Sequence, residues 1–215
     1  MRSVLVTGFE PFAGQRVNPS QLAVEALAGR TIAGRRIETA ILPVVFGDAT
    51  AALRRAVRRH RPELVICVGE AGGRAEISVE RVAINVDDAR IADNAGAQPI
   101  DEFIAGNGPP AYFATLPVKA MAVAMRAAGV PTEVSNSAGT FVCNHLMYGV
   151  LHYLAASGQR ARAGFIHVPY SEEQVLDKPA TPSMAIATMV KAIRAGIAAA
   201  LQHRRDLKAA EGALD

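Results

Sequence analysis

Hydrophobic residues in this chain alternate between two patterns, short β-branched runs and longer amphipathic stretches with helical spacing. The short runs predict strands, and a continuous apolar run such as 63–68 is typical of a strand that is covered on both faces. The run 77–86 is also rich in β-branched residues, and it is compatible with a strand or with one arm of a hairpin. The other predicted strands are residues 3–7, 36–45, 132–135 and 163–168.

Helices are predicted between these strands from their spacing and from the signals at their ends. Asn18 is a favourable N-cap that precedes a proline, and basic residues late in 48–60 complement the helix dipole. Thr181 and Pro182 give a similar start signal for the last helix. The predicted helices are residues 19–27, 48–60, 117–128, 141–156 and 182–203.

The alternation of strands and helices predicts an α/β fold, with a mostly parallel sheet that carries helices on both faces. A length of 215 residues suggests one domain, or at most two small ones, and no linker or internal repeat divides residues 1–215. The charged tail 204–215 is expected to be frayed. Residues 87–110 show no periodicity, which indicates a functional or disordered loop. Ligands in such folds bind beyond the carboxyl ends of the strands.

Composition narrows the class of protein further. Apolar residues make up 50% of the chain and charged residues 20%, and the net charge of +3 is too small to indicate a nucleic-acid partner by itself. No apolar run is long enough for a membrane span, and the start lacks the pattern of a signal peptide. Two cysteines cannot form a disulfide scaffold, and metal-ligand spacing of Cys and His is missing. A reducing, cytoplasmic location is therefore expected.

Cys143 is the candidate nucleophile because it lies in the first turn of a predicted helix. Partial positive charge at that position lowers the pKa of a thiol, and free backbone N–H groups there can receive an oxyanion. The alternative is that Cys143 is a small buried hydrophobic residue, as most cysteines are. Cys67 lies in the middle of a predicted strand, where apolar surroundings keep a thiol protonated and unreactive.

A cysteine nucleophile requires a base, usually a histidine that a third polar group orients. Of the five histidines, His167 closes a predicted strand at the edge where the site is expected, and a catalytic or a purely structural role is open. His145 is two residues from the thiol, a spacing that directs the two side chains to different faces. Glu80 is a candidate orienting group, paired with Arg74, Arg81 or an imidazolium, or else it is exposed on a strand face.

Two further features bear on substrate binding. Phe9 and Phe12 flank a glycine turn, and they either line an apolar pocket or form a small satellite core beneath the loop. Arg90 follows two aspartates in the long loop, where it is either a substrate clamp or a salt-bridge partner.

Four segments in order, spread over nearly the whole chain, resemble the pyroglutamyl peptidase I (pyrrolidone-carboxylate peptidase) family of cysteine peptidases. A single glycine-rich turn would be unspecific, but four long motifs in the family's order are highly specific. The matching segments are 5–12 together with 18–20, 72–94 around Glu80, 136–144, and 165–169.

The resemblance implies that Cys143 is the nucleophile, His167 the base and Glu80 the residue that orients it. It implies hydrolysis of the N-terminal pyroglutamyl residue from peptides through a thioacyl-enzyme intermediate, without a metal or cofactor. The fold it implies is a single three-layer α/β/α sandwich around a twisted sheet, assembled as a homo-oligomer, a dimer or more often a tetramer.

The resemblance also implies a set of substrate-binding residues. Aromatic and aliphatic side chains form an apolar pocket for the lactam ring, an amide hydrogen-bonds the ring, and an arginine lies near the nucleophile. Glu70 departs from the family pattern, which has glutamine or a neutral residue. A carboxylate facing the pocket would weaken binding, whereas a contact through the backbone alone would change little. The residues concerned are Phe9, Phe12, Asn18, Glu70, Arg90, Phe141 and Val142.

Two other functions are open to test. A nucleotide-binding oxidoreductase is suggested by the glycine after the first strand, but Pro11 and the glycine spacing break the dinucleotide fingerprint. A non-enzymatic protein of the same fold that binds a lactam-like ligand is the other alternative. The presence of all three candidate catalytic residues argues against it.

Overall fold

The computed structural model describes residues 3–211. Within this range seven strands form one sheet, and two more form a separate two-stranded antiparallel sheet. The strands are β1 (Ser3–Phe9), β2 (Thr31–Ile32), β3 (Arg35–Leu42), β4 (Leu64–Glu70), β5 (Ile77–Glu80), β6 (Val82–Ile84), β7 (Ala111–Phe113), β8 (Thr132–Ser135) and β9 (Arg162–Val168). The helices are α1 (Pro19–Glu25), α2 (Asp48–His60), α3 (Val118–Ala127), α4 (Val142–Ala156) and α5 (Ile186–Gln202), with a short 3-10 helix at Glu172–Val175.

The order of strands in the large sheet is β2-β3-β1-β4-β9-β5-β8. The pairs β3-β1, β1-β4, β4-β9 and β5-β8 are parallel, while β2-β3 and β9-β5 are antiparallel. The predicted α/β fold with a mostly parallel sheet is therefore confirmed. β5 runs against its neighbour β9, with Ser78 opposite His167 and Glu80 opposite Phe165.

Alternation of side chains along each central strand fills two cores, one on each face of the sheet. In β4, Ile66 and Val68 pack in the core beneath α1, α3 and α5, whereas Val65 and Cys67 pack in the core beneath α2 and α4. β4 is buried on both faces, as its continuous apolar run predicts. None of the helices within residues 3–211 is both long and apolar enough to span a bilayer.

Most predicted elements are present, and the differences have local causes. The run 77–86 divides into β5 and β6, because Arg81 between them bonds through its backbone to Ser135 and to Ala114. β2 and β7 are not anticipated from the sequence, since each has only two or three residues.

The last helix begins at Ile186 rather than at Pro182, so the predicted start at Thr181 is wrong. The backbone N–H of Met184 donates to Tyr170 O, and Ser183 forms a parallel bridge to Tyr170. These contacts hold the preceding residues in an extended conformation and delay the first helical turn.

The chain after α5 makes specific contacts up to residue 211. Asp206 accepts hydrogen bonds from the backbone N–H groups of Lys119 and Ala120, and Glu211 pairs with Arg126. Residues 204–211 therefore differ from a frayed tail. Residues 212–215 lie outside the described residues, and there the frayed tail stays a prediction, as does the single domain over 1–215.

The loop 87–110 contains no helix or strand, in agreement with its lack of periodicity. Asp93 orders it, because its carboxylate accepts hydrogen bonds from the backbone of Ala95, Ala97 and Phe46. Asn94 donates to Glu10 Oε1 and Pro11 O. The loop is thereby tied to the segments that follow β1 and β3.

Candidate active site

A cavity of about 190 Å³ opens where the carboxyl ends of β1, β4 and β9 meet the start of α4. This is the end of the sheet at which a ligand site is expected in a parallel α/β fold. Except for Glu80 and Arg90, every site residue predicted from the sequence lines this cavity.

Cys143 is the second residue of α4, so the helix presents its thiol at the cavity. The N-cap residue Phe141 provides no side-chain cap, and the first N–H groups of a helix have no carbonyl partner within it. Asn144 anchors this end of α4: its side chain is buried, accepts from the backbone N–H of Ile84, and donates to the carbonyls of Ile84 and Val86. The helix start is thus held in place while its N–H groups stay available to a ligand.

Gly69 lets the sulfur approach the sheet closely. A Cβ atom at Gly69 would lie 2.9 Å from Cys143 Sγ and 2.7 Å from Cζ of Phe165. Gly69 pairs in register with His167 on the neighbouring strand β9. The thiol and the imidazole therefore share the cavity, one from α4 and the other from the sheet beneath it.

Two charged side chains, Glu80 and Arg74, form a hydrogen-bonded series with the imidazole of His167. His167 Nδ1 lies 2.7 Å from Glu80 Oε1, and Arg74 Nη1 donates to the same oxygen at 2.9 Å. The Glu80 side chain is completely buried and that of His167 is 5% exposed. Of the two open interpretations of Glu80, exposure on a strand face is therefore wrong, and pairing with Arg74 and the imidazole is what the structure shows.

The surroundings of Cys143 raise the pKa of its thiol. Burial is the main cause, the negative charges of Glu80 and Glu70 add to it, and Arg74 opposes it. The sequence argument from the helix start predicts a lowered pKa, and this local environment acts in the opposite direction. Burial also raises the pKa of Cys67, to about 12, in agreement with its predicted inertness.

Glu70 borders the cavity at the end of β4, and its side chain is held by the 3-10 helix. Gln174 Nε2 donates to Glu70 Oε2 at 2.8 Å, and the Gln174 oxygen accepts from the backbone N–H of Ser171. Burial raises the pKa of Glu70, while Gln174 and the charge of Lys178 lower it. The negative charge of this carboxylate acts on the thiol of Cys143.

Aromatic side chains form the apolar wall. Phe12 and Phe141 have ring centroids 6.3 Å apart, and Phe9 packs against Phe165 at 6.4 Å. The phenylalanines that flank the glycine turn therefore line the cavity and also pack against its walls. Asn18 borders the same space, where its Oδ1 accepts from Ser20 and its Nδ2 donates to Glu10 O. Asn18 also caps α1, as its sequence position predicts.

Arg90 is exposed and is not among the residues that line the cavity, so its role near the nucleophile stays a prediction. The preceding residue, Ala89, is buried, and its backbone N–H donates to Pro99 O. Arg74 is the arginine that lines the cavity. The sequence names it only as a possible partner of Glu80, although its place after the glycine pair 72–73 at the end of a buried strand is a usable signal.

A larger cavity of about 830 Å³ lies at the other end of the sheet, where β4 and β9 begin. It contains neither cysteine nor histidine, and its charged lining consists of Glu63 with Arg58, Arg61, Arg160, Arg162 and Arg204. Within the described residues, no group of three or more His, Cys, Asp or Glu side chains forms a set that could hold a metal ion.

Comparison with known proteins gives concordant matches along the chain. A family model described as "Pyroglutamyl peptidase" matches residues 2–203. The pyrrolidone-carboxylate peptidase of Cupriavidus necator is 57% identical over 215 residues, and the match covers 100% of both chains. Pyrrolidone-carboxylate peptidase 1 of Ralstonia nicotianae is 55% identical over 214 residues, again with 100% of both chains covered.

Solved structures agree with these matches. Pyroglutamyl peptidase I of Bacillus amyloliquefaciens superposes with a TM-score of 0.94 at 44% identity, covering 96% of this chain and 100% of that one. Pyrrolidone carboxyl peptidase of Thermococcus litoralis gives a TM-score of 0.94 at 41% identity, covering 98% of this chain and 100% of that one.

Proposed function

The chain belongs to the pyroglutamyl peptidase family of cysteine peptidases, and from this membership we propose that it removes the N-terminal pyroglutamyl residue from peptides with Cys143 as nucleophile. His167 is proposed as the base and Glu80 as the residue that orients it. The observation that carries this proposal is the buried contact of 2.7 Å between His167 Nδ1 and Glu80, beside the cavity that Cys143 also lines.

The raised thiol pKa determines how the first step proceeds. The raised pKa favours the protonated thiol, so we propose that Cys143 loses its proton as it attacks. Nδ1 of His167 is occupied by Glu80, which leaves Nε2 to accept that proton. The negative charge of Glu80 stabilises the imidazolium that forms.

The reaction then runs through two acyl transfers. Sulfur forms a bond to the pyroglutamyl carbonyl carbon, and the electron pair of the C=O π bond moves to oxygen, where N–H groups at the start of α4 receive it. When the intermediate collapses, the C–N bond breaks and the His167 imidazolium protonates the departing amine. His167 then deprotonates a water molecule, whose oxygen attacks the thioester carbonyl. The C–S bond breaks, pyroglutamate is released, and His167 returns the proton to sulfur.

Specificity is proposed to arise from the apolar wall and a few polar groups. A flat lactam ring fits a cavity of about 190 Å³ between Phe12, Phe141 and Phe9. A free N-terminal amine would bring a positive charge into this pocket at a cost of desolvation. The side-chain amide nitrogen of Asn18 carries two N–H groups. One donates to Glu10 O, and we propose that the other donates to the lactam ring.

Location and assembly are further parts of the proposal. A nucleophilic thiol must stay reduced, and both cysteines are free, which supports a reducing location such as the cytoplasm. Exposed apolar side chains, among them Phe103 at 75% and Phe113 at 69%, support assembly into a homo-oligomer, a tetramer in the form we propose. Light scattering during size-exclusion chromatography measures the assembly, and a monomer at micromolar concentration contradicts it.

Release of a fluorophore from a pyroglutamyl-coumarin amide tests the function. We expect hydrolysis by the wild-type protein and a loss of roughly a thousandfold or more in Cys143→Ser, because the hydroxyl is a far weaker nucleophile. Cys67→Ala is the matched control, since this thiol is buried and unreactive, and its activity should stay within about twofold of wild type.

The same variants separate the alternatives. Wild-type protein that binds the lactam amide without turnover would support the non-enzymatic alternative. Loss of turnover in Cys67→Ala with full activity in Cys143→Ser would reverse the assignment. A thermal shift with dinucleotides tests the oxidoreductase alternative, and we expect none.

A further inference from the structure

His145 follows Cys143 by two residues on α4, and its side chain joins two segments that neighbour the pocket. Nδ1 lies 2.8 Å from Asp87 Oδ2, and the backbone N–H of Gly47 donates to Nε2 at 3.1 Å. Asp87 begins the long loop and is buried, whereas Gly47 closes the segment between β3 and α2. Both ring nitrogens are thus engaged by different parts of the chain.

The donor at Gly47 determines the tautomer of this imidazole. A backbone N–H can only donate, so Nε2 accepts and the ring proton resides on Nδ1, which donates to Asp87. With both nitrogens occupied in this way, His145 is not available as the base for Cys143. Its side chain serves instead as a bridge between the two segments.

A series of aromatic contacts leads from this bridge to the pocket. The His145 ring packs edge-on against Phe46, with centroids 5.5 Å apart and an interplanar angle of 81°. Phe46 packs edge-on against Phe141 at 5.3 Å and 89°. Phe141 lines the pocket, and so does Val44, two residues before Phe46.

We propose that His145 is a positioning residue that holds segment 44–47 against α4 and thereby sets the position of the wall formed by Val44 and Phe141. This inference rests on the proposed function, because the wall is taken as the binding surface for the lactam ring. His145 acts on binding of the ring, not on the chemistry at sulfur. Removing it should therefore weaken substrate binding and leave the catalytic step intact.

Steady-state kinetics on His145→Ala and His145→Gln test the inference. In the alanine variant we expect KM for the pyroglutamyl amide to rise about five- to tenfold while kcat stays within about twofold, because hydrogen bonds and packing that hold the wall are lost. Glutamine offers both an acceptor and a donor, so it should restore most of the loss.

The matched control is His152→Gln on the same helix. His152 borders the same small cavity as His145, about 260 Å³ in volume, but its Nδ1 contacts Tyr112. The His152→Gln variant should leave KM for the pyroglutamyl amide unchanged. Should His145→Ala fail to fold, Phe46→Leu, which breaks the same aromatic series, must raise KM in the same way. The inference is overturned if KM does not rise by more than kcat falls, or if His152→Gln gives the same effect.

Binding of 2-pyrrolidone, followed by ligand-observed NMR, keeps this test independent of catalysis. If the wild-type enzyme fails to cleave the amide, the proposed function fails, and weaker 2-pyrrolidone binding by His145→Ala still supports a role in shaping the pocket. Equal binding by both proteins, with the amide cleaved normally, overturns the inference and leaves the proposed function standing.

Discussion

The charge around Cys143 is unbalanced, since two carboxylates act on its thiol and one arginine opposes them. Glu80 is held in an ion pair with Arg74, whereas Glu70 is bonded to the neutral Gln174. Within the described residues Glu70 has no ion pair of its own, although the charge of Lys178 acts on it. Its raised pKa shows that the ionised form is disfavoured at this position.

Glu70→Gln removes that charge and retains an oxygen that can accept from Gln174. We expect the pKa of the Cys143 thiol to fall, so more thiolate is present at any given pH, and alkylation by iodoacetamide at pH 8 should be roughly threefold faster or more. The rate at Cys143 is measured by peptide mass spectrometry, with Cys67 as an internal unreactive site.

Glu173→Gln, on the exposed side of the same 3-10 helix, carries the same change in net charge and should leave the rate unchanged. If both variants react at the wild-type rate, Glu70 does not influence the Cys143 thiol.

Elements with strong local signals could be predicted from the sequence. α2 and β8 have the predicted bounds, because an amphipathic stretch of thirteen residues and a β-branched run identify themselves locally. The start of α5 and the short strand β7 depend on backbone partners elsewhere in the chain, so no local pattern reveals them. β2 pairs with β3 across the two-residue turn 33–34, but two residues are too few for a recognisable strand pattern.

The candidate site shows the same division between local and distant information. Most residues that the family motifs single out line the cavity, whereas Glu80 reaches it only through His167 and Arg90 does not line it. The thiol pKa could not be predicted correctly, because it depends on burial and on Glu70 and Glu80, which reach the helix only in the folded chain.

The close contact between β4 and α4 makes Gly69 sensitive to substitution. In Gly69→Ala the new methyl group would meet Cys143 Sγ and the Phe165 ring at less than 3.0 Å, and both lie in packed surroundings. We expect a loss of about 1–3 kcal/mol in the free energy of unfolding and at least about a tenfold loss of kcat/KM. Urea unfolding and the fluorogenic assay measure these quantities.

Gly106→Ala is the control, because a Cβ there meets nothing within 4 Å and its φ is not in the left-handed region. It should change stability by no more than about 0.5 kcal/mol. Full activity in Gly69→Ala would show that the sulfur does not need to lie against the strand.

At the scale of the whole molecule, residues 206–211, which follow α5, contact α3. Pro117 at the N-cap of α3 provides no side-chain acceptor, and Asp206 supplies one from beyond α5. Distances of 3.1 Å to Lys119 N and 3.0 Å to Ala120 N correspond to normal hydrogen bonds. A helix in the middle of the sequence is thus capped by a residue near the end of the chain.

Asp206→Ala should lower the free energy of unfolding by about 1 kcal/mol, the usual cost of losing an N-cap. Urea unfolding measures the change, and kcat/KM should stay within about twofold because the site is formed elsewhere. Asp177→Ala, an exposed aspartate in the turn after the 3-10 helix, should have no measurable effect. Equal stability of all three proteins would contradict a capping role.

The position of β5 between β9 and β8 brings the proposed catalytic pair together from distant parts of the chain. Glu80 and His167 are 87 residues apart in sequence, and they meet only when β5 inserts between β9 and β8. Such a non-local pairing closes a long stretch of chain and is slow to form. Since the proposed site needs this pairing, we expect peptidase activity after dilution from denaturant to return no earlier than the contact between Glu80 and His167.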